Sequence, residues 1–231
     1  MATEVKHEQP VTTERNHDQH VVDRAQDIWS KYSKQIIIGL VAVIVLVAGY
    51  FAYNSFVKGP EEVKANDAVW KAQEYYKIDS FRLALNGDAS TQGFLKVISK
   101  YGGTKAGNLA KFYAGSCYLQ LGEFNNAVKY LKDFSTDSKE VQLRATGLLG
   151  DAYAETGKKE EAIEQYKKAG TMIENDDFNS PEYLFRAAYL SESVNKTSEA
   201  IELYKKVKEK YPNSQRAYDI DKYLARLGET K

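Results

Sequence analysis

Hydrophobic and polar residues are distributed very unevenly along the 231-residue chain. Residues 36–53 read IIIGLVAVIVLVAGYFAY, a stretch without a charge, and weaker apolar character extends to Val57. At 1.5 Å per residue, a helix of roughly 18 to 22 residues spans about 27 to 33 Å, close to the thickness of the hydrocarbon layer of a bilayer. This pattern predicts a single transmembrane helix over residues 36–57.

The residues that flank the span favour an uncleaved signal anchor over a signal peptide. A long polar segment precedes the span, and no small-residue cleavage motif follows it. Residues 1–19 predict a disordered tail, and residues 20–35 predict an amphipathic juxtamembrane helix. An apolar stripe on that helix fits the membrane interface and equally fits a partner helix. The stripe consists of Val21, Ala25, Ile28, Trp29 and Tyr32.

After the span, small and aromatic residues recur at a fixed spacing, which is typical of repeat architectures. Four pairs are 35 residues apart: Gly115 and Gly150, Tyr118 and Tyr153, Gly122 and Gly157, Ala127 and Ala162. A third unit follows at a spacing of 38, with Ala188, Ala200 and Tyr204. Small residues allow two helices to approach closely, so each unit predicts a helix pair.

These residues resemble the tetratricopeptide repeat, a helix-turn-helix unit of 34 residues. The resemblance covers about 106–213 and implies three repeats, preceded by a degenerate first repeat over 58–105 and followed by a capping helix and tail over 214–231. The predicted fold class is therefore all-α: a helical-repeat solenoid of the tetratricopeptide type, preceded by a single transmembrane helix.

Several local features follow from this alignment. Gly122, Gly157 and Asn195 are expected to end the three first helices in the left-handed conformation. Ser180 and Pro181 predict an N-cap and the first residue of a helix. Residues 78–90 are expected to be irregular, with a turn at Asn86 and Gly87.

The resemblance also implies a peptide-binding groove along the first helices. Its groove positions, carried onto this sequence, are Leu109, Phe112, Ser116, Leu119, Arg144, Asp151, Glu155, Phe185, Tyr189 and Glu192. Such a groove is aromatic with an acidic bias, and we expect it to prefer apolar or basic segments. Arg144 is the only basic residue in the set, so a clamp for a terminal carboxylate is not expected.

Composition excludes several other functions. The 32 basic and 32 acidic residues balance, so no basic surface for nucleic acid is expected. The single Cys117 lies in an apolar pattern and is read as a buried hydrophobe. His7, His17 and His20 all precede the span and form no credible metal site or catalytic constellation. We therefore predict a protein without cofactor, metal or enzymatic activity.

The whole arrangement looks like bacterial membrane-anchored tetratricopeptide proteins, which include an ancillary subunit of the SecYEG translocon. This resemblance implies an inner-membrane protein with a cytoplasmic N-terminus and a periplasmic repeat domain. Translocon subunits, periplasmic chaperones or membrane-protein clients are the implied partners, together with membrane lipid. The charges beside the span do not decide the orientation, because three Lys/Arg near one end are matched by three near the other.

Two alternative functions remain at this point. The chain could be a scaffold of an envelope or cell-division complex. It could also be a structural membrane protein that forms homo-oligomers through its repeats or through residues 21–32.

Overall fold

The computed structural model describes residues 14–229, with side chains from residue 22 onward. It divides the chain into two compact units, Met1–Val57 and Lys58–Lys231. The predicted tail therefore lies largely outside the described residues, as do the side chains of Val21 and of the three histidines.

The first unit is one long helix, α1, over Glu14–Tyr53, followed by a π-helical turn at Asn54–Lys58. The helix begins inside the segment that was expected to be disordered, and it passes from the juxtamembrane residues into the apolar stretch without a break. Among the described residues this is the one helix long and apolar enough to cross a membrane. Its large apolar side chains are exposed, because nothing else in the described chain covers them.

Every regular element in the described part of the second unit is a helix, which confirms the predicted all-α repeat fold. In chain order the described helices are α2 (Gly59–Lys77), α3 (Phe81–Asn86), α4 (Phe94–Tyr101), α5 (Lys105–Gln120), α6 (Phe124–Lys132), α7 (Lys139–Glu155), α8 (Lys159–Thr171), α9 (Asn179–Ser193), α10 (Thr197–Lys210) and α11 (Ile220–Arg226). A short 3₁₀ turn at Ala217–Asp219 precedes α11.

The degenerate first repeat pairs α2 with α4, and the helix α3 is inserted between them. The prediction that this insert is irregular was wrong, because Ala84 and Leu85 are buried and fix one and a half turns of helix. The predicted turn is correct, since Gly87 has a φ of 76°. Asp88 stabilises the following loop by accepting hydrogen bonds from Tyr75 Oη and from backbone N–H groups, which lowers the pKa of Asp88 to about 2.

The three full repeats pair α5 with α6, α7 with α8, and α9 with α10. Each first helix ends as predicted, with left-handed φ values of 74° at Gly122, 75° at Gly157 and 61° at Asn195. The start of α9 differs from the prediction. Asn179 begins the helix, Asp176 accepts hydrogen bonds from backbone N–H groups there, and the hydroxyl of Ser180 is buried against the carbonyl of Ile173.

Close helix packing explains the small residues of the repeat. A Cβ added to Gly115 would lie 2.5 Å from Leu131 Cγ, and one added to Gly150 would lie 2.6 Å from Tyr166 Cε1. Both distances are too short, so in these two repeats the second helix packs directly on the glycine of the first. The final helix α11 buries Ile220 and Leu224 against α10, as a capping helix should.

Gly150→Ala is therefore expected to lower the stability of the repeat domain. Displacing the Tyr166 ring costs about 1–3 kcal/mol, and the better helix propensity of alanine returns about 1 kcal/mol. The measurement is the thermal unfolding midpoint of the full chain. Gly103→Ala is the matched control, because a Cβ there meets open space. An equal midpoint for both variants would show that the contact does not constrain the fold.

Candidate protein-binding groove

All ten predicted groove residues lie on the first helices α5, α7 and α9, but they are not equally available. Ser116 and Phe185 are buried, and Asp151 and Glu192 are held in ion pairs. Three more are partly buried apolar residues packed beside the core, namely Leu109, Phe112 and Leu119. Only Arg144, Glu155 and Tyr189 are exposed.

Ser116 and Phe185 do not belong to a binding surface. The Ser116 side chain is buried and shares a 2.8 Å hydrogen bond with the hydroxyl of Tyr76 on α2. The Phe185 ring is buried against Tyr223, with ring centroids 4.9 Å apart, and the Arg216 guanidinium lies over the Phe185 ring, 4.3 Å from its centroid. For these two residues the groove prediction was wrong, because adjacent helices cover them.

Asp151 links two repeats in an ion-pair arrangement that the sequence analysis missed. Its Oδ1 accepts a 2.8 Å hydrogen bond from Tyr166 Oη on α8 and a 2.7 Å bond from Arg186 Nη1 on α9. Burial, reinforced by the Asp151 charge, raises the pKa of Tyr166, so the hydroxyl stays protonated and donates. Asp151 therefore connects α7, α8 and α9.

Glu192 forms the same kind of link one repeat later. Its Oε2 accepts bonds from Tyr204 Oη at 3.3 Å and from Arg226 Nη2 at 2.7 Å. In both links a tyrosine of the second helix and an arginine of the next helix meet one carboxylate. We call these two arrangements the Tyr–Asp/Glu–Arg links.

Glu182 connects the first link to the C-terminal cap. It accepts a 2.8 Å bond from Arg186 Nε, and Arg216 binds both of its oxygens at 2.5 and 3.0 Å. Burial alone would raise the pKa of Glu182, but the two arginines outweigh it and hold the pKa below its ordinary value. The stabilising charge of Glu182 is therefore fully present at neutral pH and is lost as the pH falls through that lowered pKa.

A cavity of about 460 Å³ opens beside these arginines, at the N-terminal end of α9. Its wall combines three arginines with three carboxylates, so it has no net charge. The cavity is lined by Arg144, Asp177, Phe178, Asn179, Pro181, Glu182, Tyr183, Arg186, Ser214, Gln215, Arg216 and Asp219.

Two exposed side chains in this wall, one aromatic and one basic, are suited to contact a protein ligand. Phe178 is 83% exposed, which is unusual for so large an apolar ring. Arg144 is exposed and makes no ion pair or hydrogen bond with the residues that the structure describes. Tyr183 lies between them and the core: burial raises its pKa, and the charge of Arg144 opposes that rise.

The pairing of these charges changes the predicted character of the groove. Asp151 and Glu192 are neutralised by arginines, so the predicted acidic bias disappears, and Glu155 is the one predicted carboxylate that stays exposed. The missed arginines do have a sequence signal. Arg186, Arg216 and Arg226 follow Asp151, Glu182 and Glu192 by 35, 34 and 34 residues, which is one repeat length.

Cys117 has the environment of a core residue. It is fully buried, and burial raises the pKa of its thiol to about 12, so it is protonated and unreactive at neutral pH. Within the described part of the chain, no group of three or more His, Cys, Asp or Glu side chains could hold a metal ion.

Comparison with known families identifies the repeats. The tetratricopeptide repeat-like domain family matches residues 26–149, and tetratricopeptide repeats match residues 143–176 and 182–214. The chain belongs to the tetratricopeptide repeat-like domain family. The two shorter matches coincide with the second and third repeats found from the sequence spacings of 35 and 38 residues, and the fold is that of a protein-binding module.

Solved structures share this fold. The crystal structure of MamA protein is 20% identical, with a TM-score of 0.56, and the alignment covers 74% of this chain and 85% of MamA. A putative kinesin light chain with nearly identical TPR-like repeats, from Podosopora anserina, is 15% identical with a TM-score of 0.52, covering 71% of this chain and 85% of that one. No curated protein matches the sequence. At these identities the likeness concerns the fold alone.

Proposed function

We propose that this tetratricopeptide protein is a membrane-anchored adaptor that binds a segment of another protein beside α7 and α9. The observation that carries the proposal is the cavity with Phe178 and Arg144 at its wall. An exposed aromatic ring next to a cavity is the type of side chain that anchors a protein partner.

The free side chains define the segment that would bind. Phe178 and Tyr189 are exposed and aromatic, and three charged side chains of the cavity wall, Glu182, Arg186 and Arg216, are paired with one another. An apolar segment in extended or helical form would therefore fit best. The preference for basic segments expected from sequence has a narrower basis, because Asp151 and Glu192 are paired with arginines and only Glu155 of the predicted groove carboxylates stays exposed.

Helix α1 would serve as the membrane anchor of this adaptor. Residues 36–53 are long and apolar enough to span a bilayer, and their side chains find no protein cover in the described chain. The family match begins at residue 26 and so includes residues 26–53 of this helix. This supports a helix that stays in the mature protein over a signal peptide that is removed. Resemblance adds an inner-membrane location with a periplasmic repeat domain, and partners among translocon subunits, periplasmic chaperones or membrane-protein clients.

Phe178→Ala is expected to reduce capture of the partner roughly tenfold, the effect of losing one interface anchor. The assay is a detergent-solubilised pull-down of the full chain from its native membranes, with quantitative mass spectrometry. Ile78→Ala is the control, because Ile78 is also a large apolar side chain, 68% exposed, and lies directly after α2, away from the cavity wall.

The partner must also be located at the cavity. A photo-crosslinkable phenylalanine analogue placed at position 178 should form an adduct with the same protein, and the analogue at position 78 should not. Recovery of only this chain at position 178, or equal capture by both alanine variants, would contradict the adaptor function. Enrichment of envelope or cell-division proteins would favour a scaffold of such a complex over an adaptor at the translocon.

A further inference from the structure

The N-terminal part of α1 carries an apolar stripe that no residue of the described chain covers. Its large side chains are half exposed, with values of 54% for Val22, 56% for Trp29 and 45% for Tyr32. They recur at alternating spacings of three and four residues, the spacing at which helices pack side by side. We call Val22, Ala25, Trp29 and Tyr32 the seam.

The charged residues of this segment all avoid the seam. If Val22 occupies position a of a heptad, Ala25 and Tyr32 are at d and Trp29 is at the next a. Positions e and g beside the seam hold only uncharged residues, namely Gln26, Ile28, Ser33 and Gln35. Every charge lies at the outer positions b, c and f: Asp23, Arg24, Asp27, Lys31 and Lys34.

We infer that this seam binds a second copy of the same chain in a parallel pair. In a parallel pair of identical helices, the residues at positions a and d lie opposite their own copies, so a charge at either position would face a like charge. This sequence keeps all such positions neutral. The same spacing continues through Ile36 to Gly39, where the absence of a side chain allows two helices to approach closely.

The continuity of α1 argues against the alternative that the stripe lies flat on the membrane surface. The helix runs from Glu14 to Tyr53 without proline or interruption, so the seam and the apolar stretch share one axis. If residues 36–53 cross the bilayer, the 14 residues from Val22 to Gln35 project roughly 21 Å away from it. An isolated helix of that length is marginal in water, and a partner helix stabilises it.

Cysteine crosslinking of the full chain in membranes tests this pairing. Val22→Cys and Ala25→Cys place a thiol on the seam, and Asp27→Cys places one at an outer position of the same helix. Mild oxidation should give at least about tenfold more disulfide-linked dimer for the seam variants, because a disulfide requires Cα atoms within about 7 Å. The native Cys117 does not interfere, since it is buried.

Equal crosslinking of all three variants, no dimer from either seam variant, or a seam adduct with a different protein would each overturn the inference. Quenching of Trp29 fluorescence by lipids brominated near the headgroups, measured in a Trp70→Phe background, would instead place the stripe in the membrane interface and overturn it as well. Failure of the chain to sediment with membranes would defeat the anchor proposal alone, because the crosslinking pattern is a separate result.

Discussion

Replacing Ile44 and Val45 together by arginine is expected to release the chain from membranes. Both residues lie near the centre of the apolar stretch and are more than half exposed. Each arginine at the middle of a span costs about 2.5–3.5 kcal/mol, so the pair disfavours insertion by roughly four orders of magnitude. The measurement is the fraction of the protein that remains in the membrane pellet after an alkaline wash.

Ile44→Leu combined with Val45→Leu is the control, and it should stay in the pellet as the native chain does. The intact mass of the purified native chain completes the test, because an anchor retains residues 1–57 and a signal peptide loses them. Native protein in the wash supernatant, or a mass that lacks the apolar stretch, would show that α1 is not a lasting anchor.

Asp151→Ala is expected to lower the stability of the repeat domain by about 2 kcal/mol. The change removes two hydrogen bonds of a half-buried carboxylate and leaves Tyr166 Oη and Arg186 Nη1 without it. The loss is limited because the Arg186 side chain is 41% exposed, so water replaces part of the interaction. In a domain of this size the thermal midpoint should fall by about 4–8 °C.

Asp133→Ala is the matched control for this second prediction. Asp133 also pairs with a cation, Lys111 at 2.9 Å, but its side chain is 74% exposed. An exposed pair contributes about 0–1 kcal/mol, so the midpoint should hardly move. A larger loss for Asp133→Ala than for Asp151→Ala would mean that the Tyr–Asp/Glu–Arg link does not stabilise the repeats.

The repeat architecture was predictable because a few residue types carry most of its geometry. Gly150 is required where Tyr166 touches the first helix, and Gly157 is required where that helix ends with a φ of 75°. A small residue and a left-handed residue recur at these two positions in the three full repeats, so they are visible as a spacing. Helix α3 has no counterpart in the other repeats, and its six residues are too few to show a helical period.

For the candidate site, the sequence predicted which helices carry it but not which side chains face it. Ser116 and Phe185 are on the expected helices but face neighbouring ones, since a shift of one residue turns a side chain by about 100° around the helix axis. The ion pair between Asp151 and Arg186 depends on distances between side chains of different repeats. Phe178 lies in the linker before α9, outside the positions that the repeat pattern describes.

The short sequence separation between the residues of each Tyr–Asp/Glu–Arg link affects how the domain folds. Asp151 and Arg186, and likewise Glu192 and Arg226, are separated by only 34 or 35 residues. Each link can therefore close as soon as the next helix has been synthesised, without waiting for a distant part of the chain. Short-range contacts of this kind favour rapid, stepwise folding. We therefore expect the repeats to fold in order from α2 towards α11, so that an incomplete chain already carries finished repeats behind its N-terminal helix.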